Sequence, residues 1–279
     1  MVRNLTINDL PAAMRLKNEE NWNQLENDWK LFLEHNPELC LAATVDGDVI
    51  GTVTAINHAD RLAWIGMMLV DKNFRGRGIS KQLLNTLIAR LSSCRTIKLD
   101  ATPAGNPVYK KLGFKDEFRL LRMTTKDLAF SQGNIDHTEI ITQENIQEVA
   151  AFDQQVTGVS RLQFLKALMT NFPGKSLLLR QKGQITGTVF VREGHNYTHI
   201  GPLFAKDTPT ALQLLETTLR HINEKKVLVD VLEDKKELVE RLVLKNFEVQ
   251  RPFIRMFLYK NPAPGKINQQ YLISGPEFG

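Results

Sequence analysis

The sequence predicts a mixed α/β fold, an α+β mixed sheet with covering helices, built as two tandem domains. Three observations carry this. First, a continuous apolar run from Trp64 to Val70 leads into a glycine-rich stretch, Arg75 to Ser80. That stretch is followed by Leu83, Leu84, Leu87, Ile88 and Leu91 at helical spacing. Unbroken apolarity reads as a strand buried on both faces, two glycines two apart favour a tight turn, and the leucines mark an amphipathic helix. Second, the chain repeats itself at a period of a whole domain. Third, 279 residues suit two domains of ordinary size, each with its own core.

The elements follow in order. Val2 to Ile7 reads as a short strand, and Asn8 or Asp9 can cap a helix with Pro11 in its first turn. Trp22 and Trp29 lie seven apart, which predicts one helix face. Leu39 to Val45, Asp46-Gly47-Asp48 and Val49 to Ala55 read as a hairpin with a glycine turn. After the glycine loop and its helix, Thr96 to Ala101 is a strand, broken by Thr102-Pro103-Ala104-Gly105. Pro107 opens a short helix carrying Tyr109, and Gly113 ends it. Lys115 to Met123 returns as a strand. Lys126 to His137 is polar and serves as the expected linker.

The second half then repeats the first. Gly47 to Val53 corresponds to Gly183 to Val189, Ile65-Gly66 to Ile200-Gly201, and Asp100 to Asp230. Gly113-Phe114 corresponds to Asn246-Phe247, and Arg122-Met123 to Arg255-Met256. The order holds at offsets of 130 to 136 residues, so the domains expected are 1–130 and 137–279. The copies differ where it matters chemically. The second is about five residues short where the first carries Arg75 to Ile79, and Asp207-Thr208-Pro209-Thr210 stands there instead. It also has no tyrosine matching Tyr109.

Composition excludes several classes. Net charge is +5, divided +3 and +2 between residues 1–130 and the remainder, with no basic tail or stripe. An even spread argues against nucleic acid as a partner. No apolar run approaches 18 residues, so no membrane span is expected. Polar residues in Met1 to Asp9 leave no signal-peptide core. Cys40 and Cys94 alone make no disulfide framework, and the histidines lack ligand spacing, so a cytoplasmic protein without metal is expected.

Strand, glycine loop and helix together aim backbone N–H groups at a positive helix N-terminus, which is a phosphate-binding geometry. No Gly-Lys-Ser/Thr ends the loop and a third glycine is missing, so it is neither a P-loop nor a dinucleotide fingerprint. Arg75-Gly76-Arg77-Gly78-Ile79-Ser80 instead resembles the arginine/glutamine-x-x-glycine-x-glycine/alanine loop of the GNAT N-acetyltransferase superfamily, with Ser80 replacing the usual Gly or Ala. Asn106, Tyr109 and Leu112-Gly113-Phe114 resemble that family's second signature. The whole chain is similar to two-domain proteins in which an active N-terminal GNAT domain precedes a degenerate GNAT-like domain of the YitH/HolE type. Trp22-Asn23, Asp28-Trp29, Ala63 to Val70 and Gly275-Pro276-Glu277-Phe278-Gly279 share in that likeness.

The resemblance implies acetyl-CoA as co-substrate, transferring its acetyl group to a primary amine of a small molecule by direct attack. It implies that Arg75, Gly76, Arg77, Gly78, Ile79, Ser80 and Asn106 hold the cofactor, and that Met68, Leu69 and Val70 supply the backbone N–H that polarises the thioester. Tyr109 would be the general acid. Trp22, Asn23, Asp153, Arg161 and His195 are candidates for the acceptor site. The general base is not identified; Glu19, Glu20, Asp71 and His58 are within reach by segment. Two other readings stay open: a non-catalytic acyl-CoA sensor, and acetylation of a protein amine. The acyl-chain preference and oligomeric state are not legible.

Overall fold

The computed structural model describes residues 1–128, 138–260 and 265–279, so most of the expected linker lies outside the described residues. The first repeat runs β1 (Val2–Asn4), α1 (Leu10–Glu19), α2 (Glu26–His35), β2 (Cys40–Val45), β3 (Asp48–His58) and β4 (Leu62–Val70). It continues with α3 (Ile79–Arg90), β5 (Thr96–Ala101), α4 (Asn106–Lys111) and β6 (Lys115–Thr125). The second runs β7 (Thr138–Ile140), α5 (Ile146–Thr157), α6 (Leu162–Asn171), β8 (Leu177–Gln181), β9 (Gln184–Arg192) and β10 (Thr198–Ala205). Then come α7 (Thr208–Ile222), β11 (Val227–Leu232), α8 (Lys236–Val243), β12 (Glu248–Tyr259) and β13 (Gln270–Leu272).

One expectation is corrected. Trp22 and Trp29 do not share a helix face, because α1 ends at Glu19 and α2 begins at Glu26. Asn21 between them adopts a left-handed conformation, φ +51°, which no helix continues through. Trp29 is wholly buried, while Trp22 lies in the connecting loop.

Among the described residues thirteen strands form one sheet, ordered β1-β2-β3-β4-β5-β12-β6-β11-β13-β10-β9-β8-β7. The repeats exchange their last long strands. β12 of the second repeat pairs with β5 of the first, and β6 of the first pairs with β11 of the second. β12 and β6 also pair with each other, antiparallel, at the centre. The repeated Arg-Met and Asp positions explain the exchange. Arg255 forks onto Asp100 at 2.9 Å through two nitrogens, and Arg122 forks onto Asp230 at 2.8 Å. Each carboxylate is fully buried, so each needs the arginine that the other repeat brings.

Repeated glycines serve close packing. A Cβ on Gly51 would lie 3.3 Å from Leu83 of α3, and one on Gly187 would lie 2.6 Å from Leu214 of α7. Each helix therefore rests directly on its hairpin. Leu83, Leu84 and Leu87 are fully buried beneath α3, each worth about 1.5–3 kcal/mol of transfer free energy. Separate apolar clusters underlie α3 and α7. A third joins α1 and α2 to α5 and α6 across the repeats, and Phe278 takes part in it, stacked on Phe32 at 4.9 Å.

Candidate active site

The site begins with a bulge in β4. Met67 and Met68 together oppose the single residue Val53 of β3, and Met67 has φ +48°. Thr52 fixes the distortion by donating its hydroxyl to the Met67 carbonyl at 2.9 Å. A bulge bends its strand and leaves backbone groups unpaired. β4 and β5 accordingly pair only at Ala63–Ile97 and Trp64–Lys98 and then part. A cavity of about 390 Å³ opens between them.

The glycine loop closes one end of this cavity. Gly76 and Gly78 both have φ +78°, with open space where a side chain would be. Gly78 caps α3 in the left-handed conformation. Among the described residues the amides of Gly76 to Ser80 have no backbone acceptor. Free amides at a helix start hold partial positive charge and suit a phosphate. Tyr109 of α4 faces the same cavity, edge-on to Phe114 at 5.9 Å. Burial pushes its phenol up to about 12, so it carries its proton throughout the neutral range.

Of the expected cofactor residues, Met68, Val70, Arg75, Gly76, Gly78, Ile79 and Ser80 line this cavity, together with the expected general acid, Tyr109. Leu69 points to the opposite face by strand alternation and is buried against the helices. Arg77 lies over the Phe74 ring at 5.1 Å and does not line the cavity. The Asn106 amide is engaged elsewhere, donating to Asp116 at 2.8 Å and to the Met256 sulfur. Arg75 is anchored by Glu20 at 2.6 Å.

The acceptor-site candidates separate. Trp22 lines the cavity. Asn23 does not. It clasps the loop between β9 and β10, donating to the Tyr197 carbonyl and accepting from the Asn196 and Tyr197 amides. Asp153 and Arg161 form a buried two-point ion pair with each other, at 2.7 and 3.0 Å. Arg161 also donates to Gly279 and borders a second, smaller cavity. His195 is exposed on the loop that Asn23 holds. The expected base candidates are also displaced. Glu19 pairs with Arg15, Glu20 with Arg75, and Asp71 with Arg15 and the Asn73 amide. His58 borders the second cavity.

Another wall of the cavity comes from outside the glycine loop and the Tyr109 helix: Arg251 and Phe253 of β12, and Pro276 and Glu277 of the C-terminal segment. The segment is threaded through a slot in the second repeat. There β10 and β11 pair over three residues and part, as β4 and β5 do. β13 fills the gap, pairing with Leu203 and Phe204 on one side and Val231 on the other. A Cβ on Gly201 would lie 2.0 Å from the Ile273 carbonyl oxygen, and one on Gly66 would lie 2.6 Å from that of Glu277. The paired glycines admit the same segment at both openings. At α7, Asp207 caps the helix and accepts from the Thr210 amide at 2.9 Å. At α8, Leu242 takes the place of Tyr109: each accepts the amide of the following phenylalanine, Phe247 or Phe114, at 3.1 Å. The only local signal for the C-terminal contribution is the Gly275-Pro276-Glu277 sequence, whose target the spacing does not reveal.

Comparison with known proteins accords with this architecture. Residues 5–114 match the model of the acetyltransferase (GNAT) family, and residues 149–272 match an acetyltransferase (GNAT) domain. The chain is 24% identical over 259 residues to a holothin acyltransferase of Pseudoalteromonas sp., covering 91% of this chain and 86% of that one. It is 22% identical to the uncharacterized N-acetyltransferase YitH of Bacillus subtilis, over 84% and 83% of the two chains. A solved acetyltransferase-fold structure from Pyrococcus horikoshii superposes with a TM-score of 0.85 at 23% identity, covering 100% of this chain and 95% of that one. With both repeats matched and the whole fold shared, the chain belongs to the GNAT superfamily as a tandem two-domain N-acetyltransferase.

Proposed function

We propose that the protein transfers an acetyl group from acetyl-CoA to a primary amine of a small molecule, in the cytoplasm, with Tyr109 as general acid. One observation carries the reading. The free amides after Gly76, the β4 bulge and the Tyr109 phenol converge on a single cavity. Pyrophosphate would rest on the loop amides, and an unpaired amide of the bulged strand would polarise the thioester carbonyl. The amine nitrogen attacks the carbonyl carbon, the carbon–sulfur bond breaks, and Tyr109 supplies a proton to the departing sulfur. The size and partly apolar lining of the cavity suit a small acceptor. The two free cysteines, Cys40 and Cys94, are buried and suit a reducing compartment.

Tyr109→Phe keeps the ring packed on Phe114 and removes the proton. Turnover is expected to fall by about 10²-fold or more with acetyl-CoA affinity nearly unchanged. A variant turning over like the wild type would leave Tyr109 a packing residue only. A wild-type protein that binds acetyl-CoA but acetylates no member of an amine panel would favour the sensor reading.

A further inference from the structure

We infer that Glu277 is the proton acceptor of the reaction, delivered to the first repeat's cavity by a segment anchored in the second. The inference rests on the N-acetyltransferase reading above.

Glu277 lines the cavity shared by Tyr109 and the Met67–Met68 bulge, with 3% of its surface exposed. One carboxylate oxygen accepts from the Arg192 guanidinium. The other, Oε2, is buried and has no hydrogen-bond partner among the described residues. Leaving such an oxygen unpaired costs about 1–3 kcal/mol or more. A buried exception of this kind calls for an explanation. The backbone around it is firmly held. The Pro276 carbonyl accepts from the Trp64 indole at 3.0 Å, Phe278 is buried between Phe32 and Phe164, and β13 is paired on both sides.

Glu277 sits in a network of buried charges. Asp28 of α2 also bonds Arg192, at 2.6 Å, so two carboxylates share one guanidinium. Arg122 of β6 is committed to Asp230 of β11. His199 of β10 lies between Arg192 and Asp230, and burial with the adjacent Arg192 pushes it down, which keeps it neutral. Burial likewise pushes down the Lys17 ammonium of α1, with Asp28 acting in the opposite direction. Arg251 of β12 lines the same wall and interacts with Arg122 and Asp230, so three carboxylates face three guanidiniums. Of these three carboxylates Glu277 is the one that keeps an oxygen without a donor among the described residues, and that oxygen can accept a proton from an ammonium ion.

The step balances. One proton passes from the acceptor ammonium to Glu277, freeing the nitrogen lone pair. The nitrogen–carbon bond forms, the carbon–sulfur bond breaks, and sulfur takes the Tyr109 proton. The second nitrogen proton restores Tyr109 through solvent, and Glu277 releases its own proton to solvent.

Glu277→Gln in the full chain tests this against a purely structural role through Arg192. Thermal unfolding and acetyl-CoA calorimetry are measured beside the pH profile of kcat/KM for an amine that the wild type accepts. Turnover near neutral pH is expected to fall by about 10²-fold or more. Acetyl-CoA affinity should stay within about threefold, a change of less than 1 kcal/mol. The deficit should shrink as pH rises toward the amine's own pKa, because solution then supplies neutral amine. A folded variant with the wild-type profile, or with a deficit constant across pH, overturns the inference. Glu277→Asp keeps the charge and withdraws the carboxylate by one methylene. It should retain cofactor affinity with intermediate turnover, and it decides the matter if the glutamine variant does not fold: wild-type turnover in the aspartate variant overturns the proposal. Failure of the wild type on every amine overturns the underlying reading instead.

Discussion

At the scale of single residues, the two exchanged ion pairs hold the halves together. Arg255 is sandwiched between Trp64, 4.4 Å from its guanidinium, and Phe118 at 5.0 Å, while it binds Asp100. The pairs are not electrically equivalent. Burial works to raise both carboxyls. At Asp230 the Arg122 and His199 partners overcome it and hold the group low, whereas Asp100 is raised overall, with Asp230 and Glu117 adding to burial. Asp100→Ala strands a buried guanidinium and should cost about 3–5 kcal/mol in urea unfolding. Adding Arg255→Met removes that stranded charge and should recover part of the loss. If the two losses simply add, the pair is not coupled as its geometry requires.

At the scale of elements, the strand–loop–helix unit from β4 to α3 is the part whose chemistry depends least on its surroundings. Gly78 takes the left-handed conformation, with open space where a side chain would stand. Gly78→Glu strains that conformation and puts a carboxylate among the free amides. Coenzyme A affinity is expected to fall at least about tenfold by calorimetry, about 1.4 kcal/mol. Unchanged affinity in a folded variant would remove the loop from the cofactor site. The corresponding unit from β10 to α7 has already made such a change, with Asp207 capping its helix.

At the scale of the whole molecule, the repeats are two copies of one pattern. β13 occupies the opening between β10 and β11, so the second copy offers no slot for a cofactor. Titration of the full chain should give one acetyl-CoA per chain; a stoichiometry of two would contradict the occupied slot. The exchanged strands also determine what a fragment can do. Residues 1–130 alone lack β12, which leaves an open edge on β5 and Asp100 without Arg255. Such a fragment is expected to aggregate rather than carry the activity. A soluble, cooperatively folding fragment by circular dichroism and gel filtration would refute this.

The sequence by itself determined what is written locally. Apolar runs, turn glycines and helical leucine spacing gave the strand from Leu62, the hairpin turn at Gly47, the strand Thr96–Ala101 and the helix carrying Tyr109, because period and φ demands act within a few residues. The internal match even singled out Asp100, Arg122, Asp230 and Arg255. It could not say that each arginine crosses to the other repeat, since both pairings satisfy the same charges and only strand order distinguishes them. Tertiary structure alone decided which polar residues face the cavity. Asn23, Asp153, Arg161 and His195 looked as suitable as Trp22, yet packing commits the first three to internal bonds and leaves His195 on an outer loop. Glu277 reaches the site from more than 200 positions beyond Gly66 in the chain. Its place depends on a slot that exists only once β10 and β11 have parted and β13 has entered between them. No spacing rule spans that distance, because the contact is set by the closure of the whole sheet.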